Sequence, residues 1–319
     1  MNNLFSKGLF AALIGYILLS LTALSPAASA QTDHSVAEHD AIMKAAEIAC
    51  EQEDDAESCN HIAEDYLLGQ WIKKDIVKSR ALFTKSCDLG WSPACYNLAV
   101  MQRDAIGGPD DVPAAMTRFE ALCAANDYKS CFNFAALNGL HPKSPSKDIS
   151  IVKAYSLKAC QGGHIYGCNS YAAMLRDHAT GDEDIREALS IFRQLCDKDI
   201  GVACYNIADM VADGEISDAT FDDAVTYYEK ACTFDYLDAC LIGGNTYYLG
   251  TKIEKDSVKA YALYTKACAL NSAQGCYNQA ALMRVGDGVE ADPKTAKEMI
   301  IKSCAAGHEK SCTKIDIWE

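Results

Sequence analysis

Hydrophobic positions repeat along the chain with a period of 36 or 37 residues, from about residue 40 to residue 314. In six of the seven periods a small residue, a large residue and a cysteine follow one another at steps of four. The small residues are Ser79, Ala115, Ala188, Ala224, Ala260 and Ala296, and the large ones are Phe83, Phe119, Phe192, Tyr228, Tyr264 and Ile300. Steps of four share one helix face, so the pattern predicts a helix, here named helix B, in each period.

Polar residues mark both ends of each predicted helix B. Twelve positions before its cysteine stands a residue whose side-chain oxygen can accept the free amide hydrogens of a first turn. These predicted N-caps are Asp75, Asp111, Asp148, Asp184, Thr220, Asp256 and Asp292. Three positions past the cysteine stands a residue type that tolerates left-handed backbone. These turn residues are Gly90, Asn126, Gly163, Asp199, Asp235, Asn271 and Gly307.

A second helix, helix A, is predicted to begin near the next cysteine of each period. Four residues after that cysteine the chain has a small residue, which lets two helices approach closely. These small residues are Ala63, Ala99, Ala135, Ala172, Ala208, Gly244 and Ala280. Gly69, Gly214, Gly250 and Gly286 are predicted to end helix A in four of the periods. An unpaired helix from about Asp40 to Cys50 is predicted to cap the array.

The period from Cys131 to Cys160 departs from this pattern. It has one extra residue and a Pro-containing loop from His141 to Lys147. It also has Val152 and Ser156 where the other periods have a small and a large residue. Inserted loops often carry specificity in repeat proteins, so a local bulge on one edge is predicted here.

The clearest form of the repeated motif is Lys259-Ala260, Tyr264 and Lys266-Ala267-Cys268, preceded in other periods by Ala-Cys-Tyr-Asn-Leu-Ala. This motif resembles the Sel1-like repeat, a relative of the tetratricopeptide repeat, over about residues 40–314. The cysteine spacing is similar to that of secreted, cysteine-rich bacterial members of the family, the Hcp type. The resemblance implies an all-α solenoid of helix-turn-helix repeats of about 36 residues, stapled by disulfides. Sel1-like proteins mostly act as adaptors, and some cysteine-rich members are described as penicillin-binding proteins or weak β-lactamases.

In the family, each bridge is thought to tie helix B of one repeat to helix A of the next. A cysteine ending one helix can meet a cysteine opening its antiparallel neighbour at the Cα separation of roughly 4.4–6.8 Å that disulfides allow. Eight local pairs are therefore expected. They are Cys50–Cys59, Cys87–Cys95, Cys123–Cys131, Cys160–Cys168, Cys196–Cys204, Cys232–Cys240, Cys268–Cys276 and Cys304–Cys312.

The N-terminus has the features of a secretory signal peptide. Lys7 precedes an apolar run from about residue 9 to residue 24, and Ala28-Ser29-Ala30 fits the small-x-small pattern of a cleavage site. We expect a signal peptide at residues 1–30, a disordered leader at residues 31–39 and the repeat solenoid at residues 40–319, with seven full repeats and terminal half-repeats. No cysteine precedes Cys50, so no lipid anchor is expected near the cleavage point. Disulfides persist in oxidising compartments, so a periplasmic or secreted protein is predicted.

Charge and cysteine spacing argue against several classes of partner. The chain has 29 Lys and Arg against 44 Asp and Glu, which disfavours nucleic acid and anionic membrane surfaces. No later apolar run approaches the ~20 residues that span a bilayer. Zinc sites with C-x2-C spacing and haem attachment through C-x-x-C-H are both absent from the sequence. No cofactor and no metal are predicted.

Serine β-lactamases need Ser-x-x-Lys together with Ser-Asp-Asn and Lys-Thr-Gly elements. Ser144 to Lys147 and Ser311 to Lys314 match the first pattern in form, but neither partner element occurs. Ser144 lies in a Pro-containing loop, and Ser311 lies beside a structural cysteine. Both matches are interpreted as coincidence, and no catalytic residue is predicted.

An aromatic residue followed by asparagine recurs at the start of helix A and forms a candidate binding ladder. The pairs are Tyr96-Asn97, Phe132-Asn133, Tyr205-Asn206 and Tyr277-Asn278. Such a ladder could line a groove for a peptide or a glycan, including a peptidoglycan-related ligand. In the alternative interpretation the rings pack between repeats and the amides bind turn carbonyls. The sequence thus favours an exported scaffold that binds a protein or peptide partner, with a penicillin-binding or β-lactam-hydrolysing protein as the alternative.

Overall fold

A computed structural model describes residues 33–70, 72–140, 148–313 and 315, with backbone alone for residues 33–40 and 140. Sixteen helices make up this part of the chain, and it contains no strand. The helices are α1 Asp33–Gln52, α2 Ala56–Leu68, α3 Ile76–Asp88, α4 Ser92–Arg103, α5 Val112–Ala124, α6 Tyr128–Leu140, α7 Ile149–Gln161, α8 Ile165–Asp177, α9 Asp182–Cys196, α10 Gly201–Ala212, α11 Phe221–Thr233, α12 Leu237–Leu249, α13 Ser257–Ala269, α14 Ala273–Val285, α15 Pro293–Ala305 and α16 Glu309–Cys312. The predicted signal peptide, residues 1–30, and the loop His141–Lys147 lie outside the described residues.

The helices fall into two compact units, one ending at Met174 and the other starting at Leu175. In both units most helices pack mainly on the neighbouring helices along the chain. Even-numbered helices from α2 to α16 are the predicted A helices, and odd-numbered helices from α3 to α15 are the B helices. This arrangement confirms the all-α solenoid of helical hairpins. None of the described helices combines the length and the hydropathy needed to cross a membrane.

The predicted packing stripe is buried in both units. Its large residues on helix B, from Phe83 to Ile300, are between 0% and 3% exposed. The small residues facing them, such as Ala63 and Ala208, are fully buried. Gly244 shows why these positions must be small, because a Cβ atom there would lie 2.6 Å from the Tyr264 ring. Close approach of the helices thus depends on the small residues that the sequence repeats.

The helix ends follow the predicted polar residues with one exception. Side chains of five predicted aspartates accept the backbone N–H of the first turn, at 2.8–3.1 Å. Thr220 forms a capping box with Asp223. All seven predicted turn residues have positive φ, between 61° and 92°. The exception is Asp184, which is not an N-cap because α9 begins at Asp182 with Gly181 as its cap. The first turn contains three acidic residues. Their negative charges stabilise the positive N-terminal end of the helix and so favour the earlier start.

The first helix begins earlier than the pattern predicts. Helix α1 starts at Asp33, within the segment 31–39 that was expected to be a disordered leader. No glycine or proline occurs between Asp33 and Gln52, so nothing in this sequence interrupts a helix. The helix that was predicted from Asp40 therefore extends toward the N-terminus.

Eight disulfides join the last turn of one helix to the first turn of the next A helix. The structure has the same eight pairs that were expected, from Cys50–Cys59 to Cys304–Cys312, and no cysteine is free. The Cα atoms of each pair lie 4.2–4.8 Å apart. Each bridge therefore links the last turn of one helix to the first turn of the next helix at the junction between two repeats.

Candidate binding surface on the A helices

The aromatic ladder belongs to one face of the A helices. Residues one, five and nine positions after the second cysteine of a pair are four apart, so they share a helix face. We name these positions the A face. It comprises Tyr96 and Val100 in α4 with its C-cap Asp104, Tyr205 and Asp209 in α10 with its C-cap Asp213, Leu241, Asn245 and Leu249 in α12, and Tyr277, Ala281 and Val285 in α14. The ladder aromatics occupy its first position, and the ladder amides follow them.

In the first unit the ladder is held by contacts between neighbouring repeats. The Tyr96 ring packs edge-on against Phe119, with ring centroids 5.8 Å apart. Asn133 donates a hydrogen bond of 3.3 Å from Nδ2 to the Tyr96 hydroxyl. Phe132 is 7% exposed, and its ring lies 4.9 Å from the ring of His164. The Tyr96 ring therefore packs on helix B of its own repeat, while the Tyr96 hydroxyl and the Phe132 ring contact the following repeat, as in the structural interpretation of the ladder.

An arginine that the sequence analysis did not single out completes this cluster. Arg103 donates from Nη1 to Asn133 Oδ1 at 2.6 Å and from Nε and Nη2 to the Asp104 carboxylate, both at 2.7 Å. Its side chain is 11% exposed. The available signal was its position, since arginine stands eight residues past the cysteine in three A helices. These are Arg103, Arg176 and Arg284.

In the second unit the ladder tyrosine Tyr205 lies in a cluster with two further tyrosines. Its ring centroid is 4.8 Å from that of Tyr236 and 5.8 Å from that of Tyr228. Tyr228 donates a 2.6 Å hydrogen bond to Asp209 on the A face. Burial is the main cause that raises the pKa of Asp209, against hydrogen bonds from Tyr228 and Tyr205 that lower it. Burial also raises the pKa of Tyr205, so this hydroxyl stays protonated.

Arg176 adds a cation beside this cluster. Its Nη2 lies 2.7 Å from Asp213 Oδ2, and its Nε donates to the Glu215 carboxylate at 3.0 Å. The Arg176 side chain is only 14% exposed, whereas Asp213 remains 60% exposed. Burial alone would lower the pKa of Arg176, but the bonds and charges of the acidic groups raise it. The Arg176 guanidinium therefore stays positively charged, and its bonds to Asp213 and Glu215 hold it in place.

The remaining ladder residues do not join this cluster. The Tyr277 ring is 4.9 Å from the ring of His308 in the following turn. Asn278 accepts a 3.0 Å hydrogen bond from Gln274 one turn earlier. Asn206 and, in the first unit, Asn97 are half-buried. Each aromatic residue of the ladder thus contacts the repeat that follows it.

Large aliphatic side chains are exposed at the last position of the A face. Leu249 is 62% exposed and Val285 is 71% exposed, in two successive A helices. Leu68 occupies the equivalent position in α2 and is 47% exposed. This row lies outside the predicted stripe, which contains only positions that are buried between helices. The equal spacing of these residues from the cysteines was the signal that could have found them.

A shallow cleft opens beside Leu249. It has a volume of about 210 Å³ and is lined by Phe221, Ile242, Asn245, Thr246, Leu249 and Lys252, with Thr251 at its edge. The Lys252 ammonium lies 4.2 Å from the centroid of the Phe221 ring. Tyr264 donates a 2.7 Å hydrogen bond to Asn245 Oδ1. The lining of the cleft therefore combines apolar side chains with polar groups.

The serines that match the β-lactamase pattern have no site around them in the described residues. Ser311 is fully buried, and its Oγ lies 2.8 Å from both Ser303 Oγ and His308 Nδ1. His308 is the N-cap of α16, so this contact belongs to the helix start. Ser144, Lys147 and Lys314 lie outside the described residues. Within that part of the chain, no three His, Cys, Asp or Glu side chains form a group that could hold a metal.

Comparison with known proteins identifies the repeat. The Sel1 repeat matches residues 56–91, 92–116, 201–233, 239–272 and 273–308, which together are about half of the chain. A curated relative, cytochrome c oxidase assembly factor 7 of Xenopus tropicalis, is 28% identical over 150 residues. The match covers 44% of this chain and 65% of that relative, so the chain spans less than two thirds of the relative's length.

Two solved structures share the fold. A Sel1 repeat protein from Oxalobacter formigenes has a TM-score of 0.69 and 16% identity, and the match covers 100% of this chain and 95% of the other. A protective antigen of uropathogenic Escherichia coli has a TM-score of 0.64 and 18% identity, over 86% of this chain and 59% of the other. At these identities the likeness concerns the fold alone. By the residues that match its repeat, the chain belongs to the Sel1 repeat family.

Proposed function

We propose that the chain is an exported scaffold that binds a partner protein through the A face of its repeats. The observation that carries this proposal is the exposure of Leu249 and Val285 at the same position of successive A helices. Large apolar side chains that form contiguous exposed patches mark interaction sites, whereas scattered ones are ordinary. A row set by the repeat is not scattered. It supports a surface that contacts an extended segment over more than one repeat.

The polar part of the A face supports the same proposal. In the free protein, Asp209 and Asp213 of the A face and the adjacent Arg176 are already held by hydrogen bonds and an ion pair. Side chains that are fixed in the free protein lose less conformational entropy on binding, which favours affinity. The exposed carboxylate of Asp213 and the aliphatic Leu249 and Val285 together offer both charge and apolar area. Protein interfaces combine these two kinds of surface.

The disulfides support export. Eight bridges persist in an oxidising compartment and are uncommon in a reducing cytosol. With the predicted signal peptide at residues 1–30, this favours the periplasm or the extracellular space. The curated relative is, by its name, an assembly factor, and assembly is a task that involves other proteins. We therefore place a protein or peptide first among the partners, with a peptidoglycan fragment as the alternative ligand of the same surface.

A pair of matched substitutions tests the proposal. Val285 on the A face and Val258 on a B helix are both valines, 71% and 65% exposed. An aspartate at either site should leave the fold intact, because neither side chain is buried. We expect immobilised wild-type protein and the Val258→Asp variant to capture the same partner from an envelope extract. The Val285→Asp variant should lose it, as judged by quantitative mass spectrometry. Equal capture by both variants, or loss in both, would contradict a role for the A face.

The alternative function, hydrolysis of β-lactams, requires an accessible nucleophile, and Ser311 is buried. We expect that no single serine substitution abolishes any turnover of a chromogenic lactam by the purified protein. Turnover that disappears in the Ser144→Ala variant would favour the hydrolase instead of the scaffold.

A further inference from the structure

The cleft beside Leu249 has the size of one side chain. Pockets for drug-sized ligands are usually about 300–1,000 Å³, and this cleft is about 210 Å³. Three of its lining residues, Phe221, Ile242 and Leu249, are apolar. The cleft therefore suits one aliphatic side chain of a partner better than a small-molecule substrate.

The charge of the residues that line the cleft indicates which chemical group of the partner would lie beside that side chain. Several lysines of this unit are paired with acidic groups: Lys230 with Asp197, Lys255 with Asp287, Lys259 with Glu229 and Lys266 with Asp235. Lys252 has no carboxylate partner among the described residues, and its ammonium lies over the Phe221 ring. An ammonium group beside these apolar residues favours a ligand that carries an anionic group close to its apolar group.

Asn245 supplies a second donor in the same cleft. Its Oδ1 accepts the Tyr264 hydroxyl, so the two N–H bonds of the amide remain for another acceptor. Asn245 is exposed to solvent, and it lies on the A face one turn before Leu249. An amide N–H and an ammonium are both donors, and they match the two oxygens of a carboxylate.

We propose that this cleft binds the C-terminal residue of a partner protein when that residue is aliphatic. The inference rests on the proposed binding function and names the partner chemistry at one point of the A face. A C-terminal residue carries its side chain and its carboxylate on the same Cα atom. Both can therefore reach one small cleft. In an extended segment the side chains of adjacent residues point to opposite sides, so an aspartate next to an internal leucine points away from the Lys252 ammonium.

Peptide titrations followed by NMR of the ¹⁵N-labelled full protein test the proposal. The first probe is acetyl-Ser-Gly-Ser-Gly-Leu with a free carboxylate, and the second is the same peptide with a C-terminal amide. The third is acetyl-Ser-Gly-Leu-Asp-Gly-amide, which has a side-chain carboxylate beside an internal leucine. We expect saturable shifts at residues 242–252 with the free acid, and binding at least about tenfold weaker for the other two, since a charge-assisted bond is lost.

Two lysine variants complete the test. Lys252→Gln should weaken binding of the free-acid peptide by about tenfold, because the same charge-assisted bond is lost. The matched variant Lys198→Gln, at another exposed lysine of this unit, should bind as the wild type does. Any one of four results would overturn the proposal. They are equal binding of the acid and amide peptides, equal binding of the third peptide, wild-type affinity in Lys252→Gln, and no binding of any probe. If these titrations fail while partner capture still depends on Val285, only this inference falls. If that dependence is also absent, the A-face function falls with it.

Discussion

The ammonium of Lys85 donates a 2.6 Å hydrogen bond to the main-chain carbonyl of Cys50, which lies in the last turn of the preceding α1. Lys158 makes the same contact with Cys123 at the end of α5, at 2.7 Å. The last carbonyls of a helix have no partner within it, and they form the negative end of the helix dipole. At these two junctions the lysine two residues before the cysteine therefore caps the helix of the previous repeat, whereas Lys230 and Lys266 in the same position pair with Asp197 and Asp235.

Replacing Lys158 should weaken this junction. The Lys158→Met variant keeps the aliphatic stem and loses the donor, so unfolding in urea should cost about 1 kcal/mol less than in the wild type. Lys153→Met, on the same helix, is the control and should change the free energy of unfolding by only a few tenths of that. Equal losses in the two variants would mean that the contact with the Cys123 carbonyl contributes nothing of its own.

Ser156 and Ser79 should respond oppositely to loss of their hydroxyl groups. Both are fully buried on B helices. Ser79 donates a 2.7 Å bond to the Ala63 carbonyl, whereas Ser156 Oγ has no partner among the described residues. An unsatisfied buried hydroxyl costs free energy, so Ser156→Ala should stabilise the protein by about 1 kcal/mol and Ser79→Ala should destabilise it by about as much. Chemical denaturation of the two variants measures both effects, and destabilisation by Ser156→Ala would show that its hydroxyl has a partner.

The start of α8 should be sensitive to acid. His164 accepts the Gly167 backbone N–H at its Nδ1, at 3.1 Å. Burial is the first cause that lowers the pKa of His164 below 6.5, and the charge of Lys129 lowers it further, against a smaller opposite effect of Asp127. Since the folded state binds the proton less well than the unfolded state, stability is present above pH 6.5. It is lost as the pH falls from 6.5 toward the folded pKa.

A variant without a titrating cap separates this effect from general acid unfolding. His164→Asn can still accept the Gly167 N–H, but it does not titrate in this range. We expect stability to decline between pH 6.5 and pH 5 in the wild type and to decline less in the variant. Thermal melts at several pH values provide the measurement. Parallel curves for the two proteins would show that His164 does not cause the loss.

The bridges should act locally. Contacts in a solenoid join neighbouring repeats, so the double variant Cys232→Ser with Cys240→Ser should lose about 2–3 kcal/mol near that junction and leave distant repeats folded. Removing Cys160 and Cys168 should open its region at a lower denaturant concentration, because the unpartnered Ser156 already weakens the packing of α7. Hydrogen exchange of the two variants decides between local and global opening. Opening that spreads evenly along the chain in both would indicate a single cooperative core.

The sequence predicted the parts of the fold that depend on residues close together along the chain. The turn at Asn126 and the cap at Asp256 are local, because residue type and spacing decide them. Asp184 was placed wrongly because a run of acidic residues allows a helix to start at any of them. The bonds from Lys85 to Cys50 and from Arg103 to Asn133 span 35 and 30 residues. Their geometry depends on how repeats pack, and no short pattern specifies it.

In the candidate surface, too, only the features that depend on nearby residues were predictable from the sequence. The aromatic ladder was visible because its residues recur beside the cysteines, and the choice between a groove and packing was left open. The structure places Phe132 against His164 and Tyr205 against Tyr236, so these rings contribute to contacts between repeats. The exposure of Leu249 was not predictable, because a leucine on a helix is more often buried. Burial is decided by neighbours that are distant in the sequence.

Site-specific photo-crosslinking in the living cell tests the central claim most directly. A benzophenone side chain is introduced at Val285 on the A face or at Val258 on the B helix, two sites of similar exposure. Irradiation should yield a discrete crosslinked adduct from position 285, isolated through an affinity tag on this chain, and none from position 258. Adducts from position 258 alone, or from both positions equally, would contradict an account in which the A face binds the partner.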